Sequence, residues 1–282
     1  MKFHKANAEI FIPDNEDLSK AIKRTTHLSI AAHQDDIEIM SFDGILQCFG
    51  KEDKWFTGVV VTNGSGSPRT GLYESYTDEQ MQTVRIKEQK KAAYVGEYAA
   101  QIFLQYSSSE VKDPFNKNVI EDICQLIMAA KPKIVYTHNL ADKHDTHVAV
   151  AVRVLQALRE LPEEYLPDKV YGCEVWRDLD WMIDSEKVIF DISEHENIAS
   201  ALINVFDSQI CGGKNYDLAM MGRRRANATF SSSHTTDSAT CLSYAMDLTP
   251  LIKDKTLNIS SYVQERIESF KHDVSKRLKK FM

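Results

Sequence analysis

Over about its first 160 residues the chain alternates short runs of β-branched and apolar residues with longer stretches of helical pattern. His27-Leu28-Ser29-Ile30-Ala31-Ala32, Phe56–Val61, Gln101–Gln105 and Lys133–Thr137 read as strands. Between them, Ile37–Phe49, Asp78–Tyr94, Val119–Ala130 and His144–Leu158 read as helices. A strand, a helix and then another strand cannot be closed as a hairpin, so the strands must run parallel with helices covering both faces. Two further strands are expected at Lys169–Val175 and Lys187–Asp191, followed by helices over 194–210, 213–226 and 259–279. The fold class is therefore α/β: a Rossmann-like, mostly parallel sheet with a mainly helical C-terminal elaboration. No Gly/Pro/Ser-rich linker divides the chain, so residues 1–282 are expected to form one domain. About 25–160 form its core and about 161–282 its C-terminal part.

In such sheets ligands bind beyond the carboxyl ends of the strands. That directs attention to Ala32-His33-Gln34-Asp35-Asp36, at the end of the first strand. Imidazole and carboxylate suit a divalent transition metal. One helical turn would aim His33 and Asp36 at one point, leaving Asp35 as a free carboxylate able to take a proton from water. The plainer reading is an acidic helix start that caps exposed N–H groups. The fourth strand ends in a second cluster, from Thr137 to His147, which holds His138, His144 and His147 of the nine histidines. His144 and His147 are again one turn apart. Two such clusters, each just after a parallel strand, would meet at one edge of the sheet.

Composition limits what this edge is for. A chain of 282 residues buries about three-quarters of its unfolded surface and needs no metal merely to fold. A metal site here is accordingly read as catalytic. The net charge of −7 argues against a general nucleic-acid partner. No apolar run reaches the ~18 residues of a membrane span. The five cysteines are widely spaced with no Cys-x-x-Cys pair, as for reduced thiols, and the first residues carry no signal-peptide pattern. The expected location is cytoplasmic, and the oligomeric state is open.

The motifs together resemble the PIG-L/LmbE-like metal-dependent de-N-acetylases. Ala32 to Asp36 matches that family's Ala-His-Pro-Asp-Asp except for Gln34, with Glu38 and Gly44 following. Thr62-Asn63-Gly64 matches its Thr-x-Gly, and Arg85 with Glu88, Ala92, Ala93 and Gly96 matches its Arg-x-x-Glu helix. His144-Asp145-Thr146-His147 corresponds to its His-Pro-Asp-His, with Thr146 where the family has aspartate. The resemblance implies His33, Asp36 and His147 as metal ligands, Asp35 as general base, and His144 as the imidazolium beside the substrate carbonyl. It implies Zn²⁺, with Fe²⁺ as another candidate ion, and a small N-acetylated sugar as substrate. Since Thr146 displaces the family's aspartate, either Asp142 or Asp145 is left to orient His144.

Arginines supply the candidate substrate contacts. The fork of Arg85 suits a hydroxyl or phosphate, with a surface ion pair to Glu88 as its alternative. Arg223 and Arg224, in the densest arginine run of the chain, could hold a phosphate or sugar hydroxyls, or form a solvated helix end. Trp176 reads either as a buried strand aromatic or as a face for a sugar. The expected activity is removal of an N-acetyl group from an amino sugar or its conjugate. The alternatives are a metal-dependent phosphoesterase, which would often need two ions, and a carbohydrate-binding protein without turnover.

Overall fold

A computed structural model describes all 282 residues, Met1–Met282. Eight strands form one sheet: β1 (Glu9–Phe11), β2 (His27–Ala31), β3 (Phe56–Thr62), β4 (Ala100–Tyr106), β5 (Ile134–His138), β6 (Lys169–Cys173), β7 (Lys187–Asp191) and β8 (Leu242–Asp247). Their order across the sheet is β1-β4-β3-β2-β5-β6-β8-β7. The central run from β4 to β6 is parallel. The order reverses between β2 and β5, where one half of the chain winds outward from β2 and the other from β5. That is the position at which strand ends leave a crevice.

The connecting helices are α1 (Leu18–Lys23), α2 (Asp36–Met40), α3 (Phe42–Cys48), α4 (Asp78–Val95), α5 (Ser108–Lys112), α6 (Asn118–Ala130) and α7 (Asp145–Glu160). The C-terminal part adds α8 (Glu196–Asn204), α9 (Asp207–Ile210), α10 (Tyr216–Phe230), α11 (Thr249–Lys253) and α12 (Ile259–Leu278). Two cores lie on opposite faces of the sheet, because successive strand residues point to opposite sides. Leu28, Ile30, Val59, Val61 and Ile102 pack with α6 and α7 on one face. Ala31, Val60 and Phe103 pack with α2, α3, α4 and α8 on the other. No helix is long and apolar enough to cross a membrane.

Four local expectations are corrected. The helix expected from Ile37 to Phe49 is two helices, broken at Ser41, whose hydroxyl bonds to Ser29 on the buried strand at 2.7 Å. The helix expected over 194–210 is likewise split, with Phe206 fully buried at the break. Position 242–247 holds an unanticipated strand, β8, wedged antiparallel between β6 and β7. Its sequence Leu-Ser-Tyr-Ala-Met-Asp has no β-branched residue, so its pairing comes from its neighbours and not from propensity. The strand expected to reach Val175 ends at Cys173, which frees Val175 and Trp176 to leave the sheet.

Candidate metal centre

The crevice between β2 and β5 opens into a cavity of about 420 Å³. Its floor is built by the two strand ends. Asp36 begins α2, and its Oδ2 accepts the backbone N–H of His33 at 2.7 Å. That tight loop, and not a helical turn, brings His33 and Asp36 together. His33 Nδ1 lies 3.1 Å from Asp36 Oδ2 and 3.1 Å from His147 Nε2. His147 Nε2 lies 3.3 Å from the same carboxylate oxygen. Two nitrogens and one oxygen thus form a nearly equilateral triangle. Ligands at about 2.0–2.1 Å from a tetrahedral ion stand roughly 3.3 Å apart, so this donor set fits a zinc-sized ion in both spacing and chemistry.

His144 extends the cluster. His33, His144 and His147 offer ligand nitrogens within 4.8 Å of one another, and Asp36, His138 and His147 offer one carboxylate oxygen and two nitrogens equally close. Both groups share His147, so they describe one centre and not the two ions a phosphoesterase often needs. His138 was not singled out by sequence as a ligand, although it belongs to the histidine cluster. Its Nε2 accepts the Ala32 N–H at 2.8 Å, and its ring stacks on His147 with centroids 3.9 Å apart. It therefore supports His147 from behind.

Charge follows from burial and proximity. Burial depresses His33 to about 4. It also lowers His138 well below the usual range. Burial opposes charge on His147 as well, but Asp36 and Asp142 outweigh it and raise His147 to about 9. Burial would raise Asp36, yet His147 and His138 beside it hold its carboxyl well below the usual range. The cluster thus holds one carboxylate against one imidazolium, in a form where a divalent ion can replace the proton.

Asp35 stands next to this set without belonging to it. Its backbone has φ +96°, outside the regions that side-chain-bearing residues favour. Three contacts hold it there. Gln89 on α4 accepts its N–H at 3.1 Å. Arg85, one turn earlier on α4, donates to Oδ2 at 3.2 Å, and Tyr216 at the start of α10 donates to the same oxygen at 2.5 Å. Burial raises Asp35 to about 7, against the lowering effect of Arg85. A carboxylate poised near neutrality suits proton transfer.

The remaining expected residues are placed as follows. Arg85 is buried and makes no pair with Glu88, which accepts the Ser208 N–H and hydroxyl instead. Its guanidinium binds Asp35, Ser67 and the Gln34 carbonyl at the cavity wall. Arg223 lines the cavity, but Arg224 does not. Arg224 is buried, donates to the carbonyls of Glu38 and Ile39 at 2.9 and 3.1 Å, and lies over the Phe42 ring. One helical step separates the two arginines, and it carries the second away from the cavity. Asp142 turns towards His147 Nδ1, 3.7 Å away, and accepts the His144 N–H. Asp145 is exposed, and the Nδ1 of His144 has no hydrogen-bond partner. Neither carboxylate orients the His144 ring, which is placed by stacking on His147 with centroids 4.5 Å apart. Burial lowers the His144 imidazole below its usual range, with the charge on His147 acting in the same direction.

Sequence reasoning passed over Tyr216 and Gln89. Tyr216 lies 181 positions from its partner with no motif around it. Gln89 had a usable signal, since it sits four residues after Arg85 on the same helix face.

Residues 28–158 match the family described as PIG-L: GlcNAc-PI de-N-acetylase. Among curated proteins none matches the chain. Several solved structures share the fold at low identity. N,N'-diacetylchitobiose deacetylase from Pyrococcus horikoshii is 15% identical with a TM-score of 0.65, covering 86% of this chain and 91% of that one. The hydratase GalB, acting on 4-carboxy-2-hydroxymuconate in Pseudomonas putida KT2440, is 15% identical with a TM-score of 0.60, covering 79% and 96%. A zinc-inhibited form of teicoplanin deacetylase is 13% identical with a TM-score of 0.56, covering 79% and 98%. The part of the chain that matches the PIG-L family, residues 28–158, is the part that holds the motifs at these strand ends.

Proposed function

We propose that the chain is a metal-dependent hydrolase that removes an N-acetyl group from a small amino sugar or its conjugate. The observation that carries this reading is the triangle of His33, Asp36 and His147 beside a separate carboxylate, Asp35, where His33, Asp36 and Asp35 line the cavity and His147 is buried directly behind them. The three would hold a divalent ion, Zn²⁺ or Fe²⁺, which supplies a polarised amide carbonyl and a more acidic water when bound. Asp35 takes that water's proton. Both of its protein donors engage Oδ2, which leaves Oδ1 to accept. Arg85 and Tyr216 keep the carboxylate from turning away. His144, stacked on His147 and edge-on to His33 at the cavity edge, offers an N–H to the oxygen that gains charge. Asp35 then passes the proton it took from water to the departing amine.

The family match supports the amide bond as the target. The same fold is found in a hydratase, so fold alone carries no activity. The deciding test is acetate release. Protein loaded with one equivalent of Zn²⁺ or Fe²⁺, and not an excess, is incubated with N-acetylglucosamine, its phosphates and its glycosides. Acetate and free amine are expected in equal amounts. Release of phosphate without acetate would replace this reading by the phosphoesterase. Sugar binding with neither product would replace it by the non-catalytic reading.

A further inference from the structure

The cavity has a second wall whose charge is unanswered. Lys214, on the loop before α10, and Arg223, two turns into that helix, both line it. Both are tied to one dipeptide. Lys214 Nζ lies 4.9 Å from the centre of the Trp176 ring, and Arg223 donates to the carbonyl of Val175. Neither forms an ion pair, whereas neighbouring Arg225 reaches Glu196 at 2.6 Å outside the cavity.

The buried acidic groups near this wall are engaged elsewhere, and Asp178 is exposed and outside the cavity lining. Glu174 is buried and gives its oxygens to the N–H groups of Leu179 and Tyr244 and to Asn227. Asp142 accepts the Trp176 N–H. Asp35 and Asp36 belong to the floor, and Asp217 on α10 does not line the cavity. Arg85, the other cation of the cavity, is consumed by Asp35, Ser67 and Gln34. Two cations therefore share one concave wall without an ion pair: Arg223 acts on the buried Glu174 carboxylate only through space, and that carboxylate's oxygens are already bonded. Like charges so placed repel unless an anion enters between them.

We infer that Lys214, Arg223 and Trp176 form a subsite for an anionic substituent of the substrate, a phosphate or a carboxylate carried on the N-acetylated sugar. The guanidinium can pair two oxygens, Lys214 adds a mobile point charge, and the Trp176 ring offers a flat apolar face beside them. This deepens the proposed function and rests on it, because the substituent is placed by the same cavity that holds the amide.

Two measurements separate failure of the subsite from failure of the reaction. The first compares acetate release from N-acetylglucosamine, N-acetylglucosamine 1-phosphate, N-acetylglucosamine 6-phosphate and N-acetylmuramic acid. At least one anionic sugar is expected to exceed the neutral one tenfold or more in kcat/KM, chiefly through KM. Preference for the phosphates or for the carboxylate identifies the anion. Lys214→Ala and Arg223→Ala should each reduce that preference at least fivefold. The second is calorimetric binding of glucosamine, glucosamine 1-phosphate, glucosamine 6-phosphate and muramic acid, which needs no turnover. Tighter binding of an anionic sugar than of glucosamine, lost in Lys214→Ala, would uphold the subsite even if no acetate is released from any substrate. Equal binding of neutral and anionic sugars, or a preference that survives both substitutions, would overturn it. Lys214 is exposed on a loop, so its substitution leaves the fold intact.

Discussion

Two stretches of chain meet at the cavity and supply different kinds of group. The matched region, 28–158, gives the floor: His33, Asp35 and Asp36 after β2, His144 and His147 after β5. The region beyond it gives the walls: Trp176, Lys214, Tyr216 and Arg223. Floor groups follow the two strand ends by no more than nine residues, and the His33 N–H to Asp36 bond is local, while Asp35 is also tied to α4 and α10. Wall groups are held by contacts across the chain, such as Tyr216 to Asp35 and Arg223 to Val175. The lesson is a division by origin: the matched region supplies the metal-ligand candidates, and the C-terminal part supplies much of the wall above them.

The sharpest way to break that division is at the floor. Asp35→Asn should retain its metal and lose about 10³ in kcat, the usual scale for a general base. Near-normal acetate release at full metal content would remove Asp35 from the role. His147→Ala should purify without one equivalent of ion even after reconstitution, as read by elemental analysis. Retention of one equivalent would show that the triangle is not the ligand set.

Tyr216→Phe tests whether the wall also takes part in the reaction. It deletes the donor to Asp35 from the C-terminal part, and kcat should fall about 10- to 100-fold with KM little moved. A change confined to KM would return Tyr216 to pure substrate contact, and the division would then be complete. Gly64→Ala is a smaller, structural probe of the floor. Gly64 has φ +75°, and an added Cβ would stand 2.5 Å from Gln34 Oε1 and 3.0 Å from Arg85 Cδ. A cost of about 1–3 kcal/mol is expected by denaturant unfolding.

The smallest effect is a pH dependence behind the floor. Glu38 is fully buried, accepts Tyr98 and Gln89, and is raised by burial to about 8. The folded state then holds a proton that the unfolded state releases near its usual 4.5. This stabilisation is complete below 4.5 and is lost as pH rises through about 8. Glu38→Gln should therefore flatten the fall in Tm between pH 5 and 8. An unchanged slope would show that Glu38 is not the protonated group.

How far these features could be read in advance follows the same division. The parallel core and the His33–Asp36 and His144–His147 pairs were legible, because strand periodicity and motif spacing are local signals. Arg85 was legible as a candidate, but its burial against Asp35 was not, since nothing nearby distinguishes it from a surface arginine. Arg223 and Arg224 looked equivalent in sequence, and only the placement of α10 sends one into the cavity and the other under α2. β8 was invisible because its pairing is imposed by β6 and β7. Tyr216 and Lys214 gave no signal, as each acquires its meaning from a partner far along the chain.

Asp35 holds φ +96°, a conformation that glycine adopts freely and that costs other residues about 1–3 kcal/mol. Glycine at this position would relax the backbone and delete the carboxylate in one step. Selection for heat resistance and selection for turnover therefore pull on this codon in opposite directions. A variant library screened only for thermal tolerance would drift towards proteins that fold well and do nothing.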